Sequence, residues 1–208
     1  MYLSRILLDV SNRNTMRALA SPSRFHGALD SCFCGDRPKL LWRMDPLHNQ
    51  QYLLLLSEIK PDLTAFCEQF SKNANDWETR DYDGLLEHME SGSQWRFRLT
   101  ANPTKSIPSE DRQTRGKVCA HITTAYQKQW LLERAEKHGF ALAEENFEVT
   151  ESRWRRFYKR ENRFVTLLSV TYEGFLEVTD PDLFRNVMVN GIGRGKAYGM
   201  GLLTVMHR

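Results

Sequence analysis

Along this chain, short apolar runs and stretches of alternating apolar and polar residues switch repeatedly between the period of a strand and that of a helix. Tyr2 to Val10 is apolar and rich in β-compatible residues, which predicts a first strand. Asn12 to Ala20 changes period, with Met16, Ala18 and Leu19 predicting a brief helical turn. Ser21-Pro22 then opens a helix over 22–33, since proline suits a first helical turn and serine caps one. On it Phe25 and Leu29 face the core, Phe33 extends that face, and His26 lies one step round at its boundary. Leu40 to Met44 and Tyr52 to Leu56, joined by residues 45–51, predict a hairpin. Residues 61–70 follow as a helix with Leu63, Phe66, Cys67 and Phe70 on one stripe, and 82–89 as a further strand. Strand, helix, strand, strand, helix, strand is the order of a ferredoxin-like unit.

The same outline returns after Ser91-Gly92-Ser93, the best candidate linker. Gln94 to Ala101 alternates as a half-buried strand, and 102–117, with two prolines and no period, predicts a mobile loop. Residues 122–138 predict a helix carrying Tyr126, Trp130, Leu131 and Ala135. Two strands over 148–157 and 164–178, a short helix over 182–189 and a last strand over 201–205 complete the chain. The expected fold is α+β: two tandem ferredoxin-like βαββαβ domains, 1–90 and 94–208.

At 208 residues the chain has room for one large core or two small ones. A hydrophobic content of 41% and an aromatic content of 11% exclude general disorder. The formal charge is only +3, so an argument for a polyanionic partner must rest on clustering rather than on totals. Cysteines 32, 34, 67 and 119 lack the spacing of a disulfide framework or a zinc site, which predicts reduced thiols in a cytoplasmic protein. No run reaches the roughly 20 residues of a membrane span, and none reads as a signal segment.

Clustering is found in two places. Between Gly191 and Gly201 stand five of the twelve glycines, with Arg194 and Lys196 among them. Such a loop asks for positive φ and for room beside the backbone, and its exposed N–H groups suit a phosphate chain. It is not a Walker loop, because Asn190 stands at the first glycine position and Ala197 follows Lys196. Nor is it a dinucleotide fingerprint, since only seven residues remain after Gly201. No nucleotide cofactor is expected, and a polynucleotide backbone fits better. The second cluster, residues 153–163, holds six basic residues and three aromatics at the junction of the two late strands. Cations so dense repel one another unless an anion sits among them, and guanidinium groups and aromatic rings together suit RNA.

Three separated stretches converge on one family. Met1-Tyr2-Leu3-Ser4, then Arg96-Phe97-Arg98-Leu99-Thr100-Ala101-Asn102-Pro103-Thr104-Lys105, then 191–203 with its glycines resemble the CasE family, the CRISPR repeat-RNA endoribonucleases of the type I-E Cascade complex. The resemblance spans nearly the whole chain. It implies two ferredoxin-like, RRM-like domains and metal-independent cleavage at the base of a repeat stem-loop, the enzyme then staying on its product. The partners implied are the repeat RNA and other Cascade subunits, with no membrane and no cofactor. The family's catalytic histidine matches His26; some members carry a tyrosine three residues earlier, where this chain has Ser23.

The chemistry suits these residues. The ribose 2′-hydroxyl is a built-in nucleophile, and histidine titrates near neutrality and can act as base or acid. No carboxylate cluster or zinc-spaced ligand set is expected to hold a metal. His26 is therefore the expected catalyst, with Ser23, Arg24 and Lys196 as support, Lys196 or Arg24 meeting the charge that develops on phosphorus. Expected RNA contacts are Lys105, Arg153, Arg155, Arg156, Lys159, Arg160, Arg163, Gly191, Gly193, Arg194, Gly195 and Lys196. The competing reading is a non-catalytic RNA-binding subunit of a ribonucleoprotein, in which His26 only packs.

Overall fold

A computed structural model describes residues 1–33, 38–108, 116–159 and 163–207. The first half runs β1 (Tyr2–Leu8), α1 (Arg13–Ala20), α2 (Ser23–Asp30), β2 (Leu40–Leu47), β3 (Gln50–Ser57), α3 (Thr64–Phe70), β4 (Trp77–Asp81) and α4 (Asp83–Glu87). Its four strands form an antiparallel sheet in the order β2-β3-β1-β4. The hairpin β2–β3 closes through His48 and Asn49, both at positive φ, as a tight turn matched to strand twist requires. Alternation then assigns the faces. Trp42, Leu53, Leu55 and Ile6 meet Phe25, Leu29, Phe66 and Phe70 in one core, each fully or almost fully buried. Each such side chain is worth about 1.5 to 3 kcal/mol relative to exposure.

The second half runs β5 (Gln94–Ala101), β6 (Thr104–Ile107), β7 (Lys117–Ala120), α5 (Thr124–Ala135), β8 (Phe140–Ala141), β9 (Phe147–Lys159), β10 (Arg163–Val178), α6 (Pro181–Asn190) and β11 (Leu203–His207). Its main sheet has the order β11-β5-β10, with β9 and the short β8 both pairing with β10. Without β8 and the hairpin β6–β7, β5-α5-β9-β10-α6-β11 is a second βαββαβ unit. Its core reaches across to the first half and takes in Leu41, Leu56, Tyr82, Leu86 and Met89. At the expected linker, Gly92 N–H donates to Val178 O at 2.7 Å and Val178 N–H to Ser93 O at 2.9 Å.

Several boundaries differ from those expected, each for a local reason. Residues 82–89 contain α4 rather than a strand, because Tyr82, Leu86 and Met89 lie four and three apart and bury one helical stripe. The strand is the charged Trp77–Asp81, an edge strand that needs only β1 as partner. The expected loop over 102–117 instead begins and ends in strands, β6 pairing with β7 from Thr104↔Ala120 to Ile107↔Lys117. On α5, Tyr126 is 63% exposed and Gln127 is buried, its Nε2 donating to the carbonyls of His121 and Ile122 and to Ser152 Oγ at 3.0 Å each. Ser21 ends α1 instead of capping α2 with its side chain, and the last strand starts at Leu203.

The two halves are joined by a buried arginine. Arg43 on β2 is 2% exposed and spends all five of its N–H donors. Nη1 donates to the carbonyls of Arg98 at 2.7 Å and Leu202 at 2.9 Å, and Nη2 to Thr204 Oγ1 at 2.7 Å. Nε and Nη2 grip the Asp45 carboxylate at 2.8 and 2.7 Å. Breaking one side of a buried charged network strands the other side without a partner. Arg43→Ala is expected to lower the unfolding free energy by about 3 to 5 kcal/mol in urea titration. Arg43→Lys, with three donors in the wrong geometry, should recover little of the loss.

Candidate functional site

One face of the second sheet carries Arg98 and Thr100 on β5, Glu151, Arg153 and Arg155 on β9, and Ser169 and Thr171 on β10. These residues line a cleft of about 190 Å³, whose other wall is Trp42, Arg43, Met44 and Pro46 of β2 with Pro22, Tyr198 and Gly199. A neighbouring groove of about 450 Å³ runs between Leu19, Ala20 and Pro22 and the strand from Arg153 to Phe157. Strand alternation places Arg153, Arg155 and the buried Phe157 on the cleft side. Trp154, Arg156 and Tyr158 alternate to the other side. There Arg156 lies 4.4 Å over the Phe164 ring, and the Tyr158 ring packs against Phe164 with centroids 3.9 Å apart and planes tilted by 39°. The basic hairpin is thus two surfaces rather than one.

His26 sits on α2 four residues after Pro22, a spacing that puts both on one helix face, and Pro22 lines cleft and groove alike. Its side chain is 32% exposed, with Nε2 3.9 Å from Asp30 Oδ2 one turn on. Nδ1 is buried and has no hydrogen-bond partner among the described residues. The α1–α2 junction is tied to the basic strand: Ser21 Oγ donates to Tyr158 O at 3.2 Å and lies 3.3 Å from Ser23 Oγ. Ser23 is half-buried there, and Arg24 is exposed.

The glycine-rich loop brings its other residues to separate places. The turn Lys196–Tyr198 lies against α2 and β2, and Tyr198 packs edge-on to Phe157 at 5.0 Å. Lys196 Nζ donates to Asn190 O at 2.5 Å, so it also caps the end of α6, and burial, then the charge of Lys39, lowers its pKa. Gly191 and Gly199 have φ of +71° and +79°. A Cβ on Gly191 would stand 2.9 Å from Leu41 Cδ2, and one on Gly199 2.7 Å from Trp42 Cζ3. What approaches Gly199 is therefore the edge strand of the first half, and Gly191 is flanked both by that strand and by Gly201 O at 2.7 Å from the same added Cβ. Gly193 and Arg194 face a different cavity, shared with Lys105.

Arg155 is half-buried, and burial, then Arg153, lowers its pKa. Arg153 is held by Glu151 at 3.1 Å. Arg160 and the side chains of Lys159 and Arg163 lie outside the described residues. Among the described residues no group of three His, Cys, Asp or Glu side chains is placed to hold a metal ion, and no helix is long and apolar enough to cross a membrane. Arg43 and Asp30 were not singled out from sequence. An arginine inside Leu-Leu-Trp-Arg-Met, with an aspartate two residues on, was the available signal for Arg43. For Asp30 it was the four-residue step from His26.

Residues 1–207 match the protein family described as CRISPR associated protein, and the chain belongs to that family. The resemblance to CasE holds at the level of single relatives. The chain is 30% identical over 220 residues to the CRISPR-associated endoribonuclease Cse3 of Thermus thermophilus, covering 99% of each. A solved structure of Cse3 bound to a 19-nucleotide RNA superposes with a TM-score of 0.83 at 28% identity, covering 99% of this chain and all of that one. Thermus thermophilus Cse3 bound to an RNA representing a pre-cleavage complex gives 0.82 at 28% identity, covering 99% and 98%. Cas6e of Escherichia coli K-12 gives 0.64 at 23% identity over the whole of both chains, which bears on the fold alone.

The loop geometry yields a test. Gly199→Ala must hold an L-residue at positive φ and displace the Trp42 ring. It is expected to lower the melting temperature by about 4 °C or more in a calorimetric scan.

Proposed function

We propose that this chain is a CRISPR RNA-processing endoribonuclease that cuts the repeat at the base of its stem-loop without a metal ion and then retains the product. The observation that carries the reading is a partly open imidazole, His26, one helical turn after Pro22, which itself lines a cleft whose wall bears Arg153 and Arg155. Guanidinium groups hold the phosphodiester, and the imidazole is carried on the helix that follows Pro22 in the cleft wall. In the step proposed, the 2′-oxygen forms a bond to the scissile phosphorus and the bond to the 5′-oxygen breaks. The 2′-proton goes to a base and a proton reaches the leaving 5′-oxygen, giving a 2′,3′-cyclic phosphate and a 5′-hydroxyl.

His26 takes one of these proton transfers, and Asp30 stands where it can steady the imidazolium. Ser23 occupies the position where some relatives of the CasE type have tyrosine, and its hydroxyl already neighbours Ser21. Arg24 and Lys196 are the candidates for meeting charge on the phosphoryl oxygens. Lys196 would have to leave the Asn190 carbonyl to do so. Lys105, Arg156, Lys159, Arg160, Arg163 and the loop Gly191, Gly193, Arg194 and Gly195 would extend the grip along the RNA. Other Cascade subunits and a cytoplasmic setting follow from the same reading.

In EDTA, His26→Ala is expected to slow cleavage of labelled repeat RNA by about 10² to 10⁴-fold while leaving gel-shift affinity largely intact. A 2′-deoxy substitution beside the cut should abolish cleavage by the unaltered protein. Uncut RNA with both proteins would favour the non-catalytic RNA-binding subunit, and continued cutting of the deoxy substrate would remove the internal nucleophile.

A further inference from the structure

The glycine-rich loop borders a second cavity, of about 550 Å³, that shares no lining residue with the cleft. That volume lies in the range of sites for small ligands. Its charged lining is Lys105 from β6, Arg134 and Glu133 from α5, and Arg194 from the loop, so three cations face one carboxylate. Arg134 is fixed rather than free to swing. Its guanidinium lies 4.2 Å over the Trp130 ring and donates to Trp130 O at 3.0 Å, while Trp130 stacks on the buried Tyr172. Arg194 is pinned by a backbone bridge to Asn102. A preformed concavity with excess positive charge is an anion site.

Two features narrow the ligand to a nucleotide rather than a bare ion. His121 in the wall has its pKa lowered, by burial first and then by Lys105, so near neutrality it offers one donor and one acceptor. In the same wall, an acceptor, Asn102 Oδ1, and a donor, Trp130 Nε1, are buried without a hydrogen-bond partner among the described residues. The cavity is also within reach of RNA in the cleft. Arg194 lines the one and Tyr198 the other, and four residues of chain span at most about 14 Å.

Resting on the reading of the cleft as an RNA site, we propose that this second cavity takes the phosphate and ribose of an unpaired nucleotide continuing from the stem held in the cleft. Arg134, Lys105 and Arg194 meet the phosphate, and His121 meets the ribose hydroxyls. The cavity therefore distinguishes a stem-loop that carries a flanking strand from a bare one.

The test compares two non-cleavable RNAs, deoxy-substituted at the cut: the bare stem-loop, and the same stem-loop with a short unpaired extension at its 5′ or its 3′ end. With the full-length protein one of the two extensions is expected to tighten binding about tenfold. That ratio should fall towards one in Arg134→Gln and in Lys105→Ala, the second being a surface change that spares the Trp130 packing. The His121 ring signals should titrate at higher pH with the extended RNA but not with the bare stem-loop. A wild-type protein that binds both RNAs equally, or variants that weaken both by the same factor, would overturn the second site and leave the cleft reading standing. Failure to bind either RNA would sink both.

Discussion

The guanidinium of Arg43 sets the arrangement on which every other feature rests. Five N–H donors in one plane are aimed at two backbone carbonyls and a hydroxyl of the second half and at a carboxylate of the first. Buried charge is costly unless its partners are complete, so this contact tolerates one geometry and no sliding. Asp45 extends the network, since Arg98 Nε lies 3.2 Å from its Oδ1, and Arg98 Nη1 pairs with Glu173 at 2.9 Å. Through these links the edge strand of one sheet is fixed against the face of the other. The cleft between Met44 and Arg155 is the space that remains.

Within that frame, the groups proposed for binding and for chemistry come from different halves of the chain. Arg153 and Arg155 are carried by β9 of the second unit, the imidazole of His26 by α2 of the first. The bond from Ser21 to the backbone of Tyr158 keeps the two in register. The opposite side of the same hairpin, with Trp154, Tyr158 and Phe164 about half exposed, presents the paired Tyr158 and Phe164 rings beside Arg156. On the proposed reading, electrostatic positioning and proton transfer meet only in the assembled molecule.

Much of this was legible in the sequence, because period and punctuation are local properties. The hairpin β2–β3, the stripe on α3 and the long pair β9–β10 follow directly from spacing, and so does His26 at the edge of a buried helical face. Misreadings arose where a residue's surroundings overrode its type. Residues 82–89 look strand-like until Tyr82, Leu86 and Met89 are counted at helical spacing. Tyr126 points outward because Gln127 fills the interior position with three hydrogen bonds. The glycines between 191 and 201 do make room, as their number implied, but for Leu41 and Trp42 at two of the positions. No local rule could have named those neighbours, since they lie about 150 residues away in the chain.

The shared core has a consequence for biosynthesis. Leu41, Leu56, Tyr82, Leu86 and Met89 leave the ribosome early, yet the side chains that cover them, among them Leu99, Leu202 and Leu203, are supplied by the later half. Synthesis proceeds at about 5 to 20 residues per second, so the nascent first unit presents a bare apolar flank for several seconds. During that interval the flank is open to contacts with other chains, and expression of the first unit by itself would yield a protein prone to self-association.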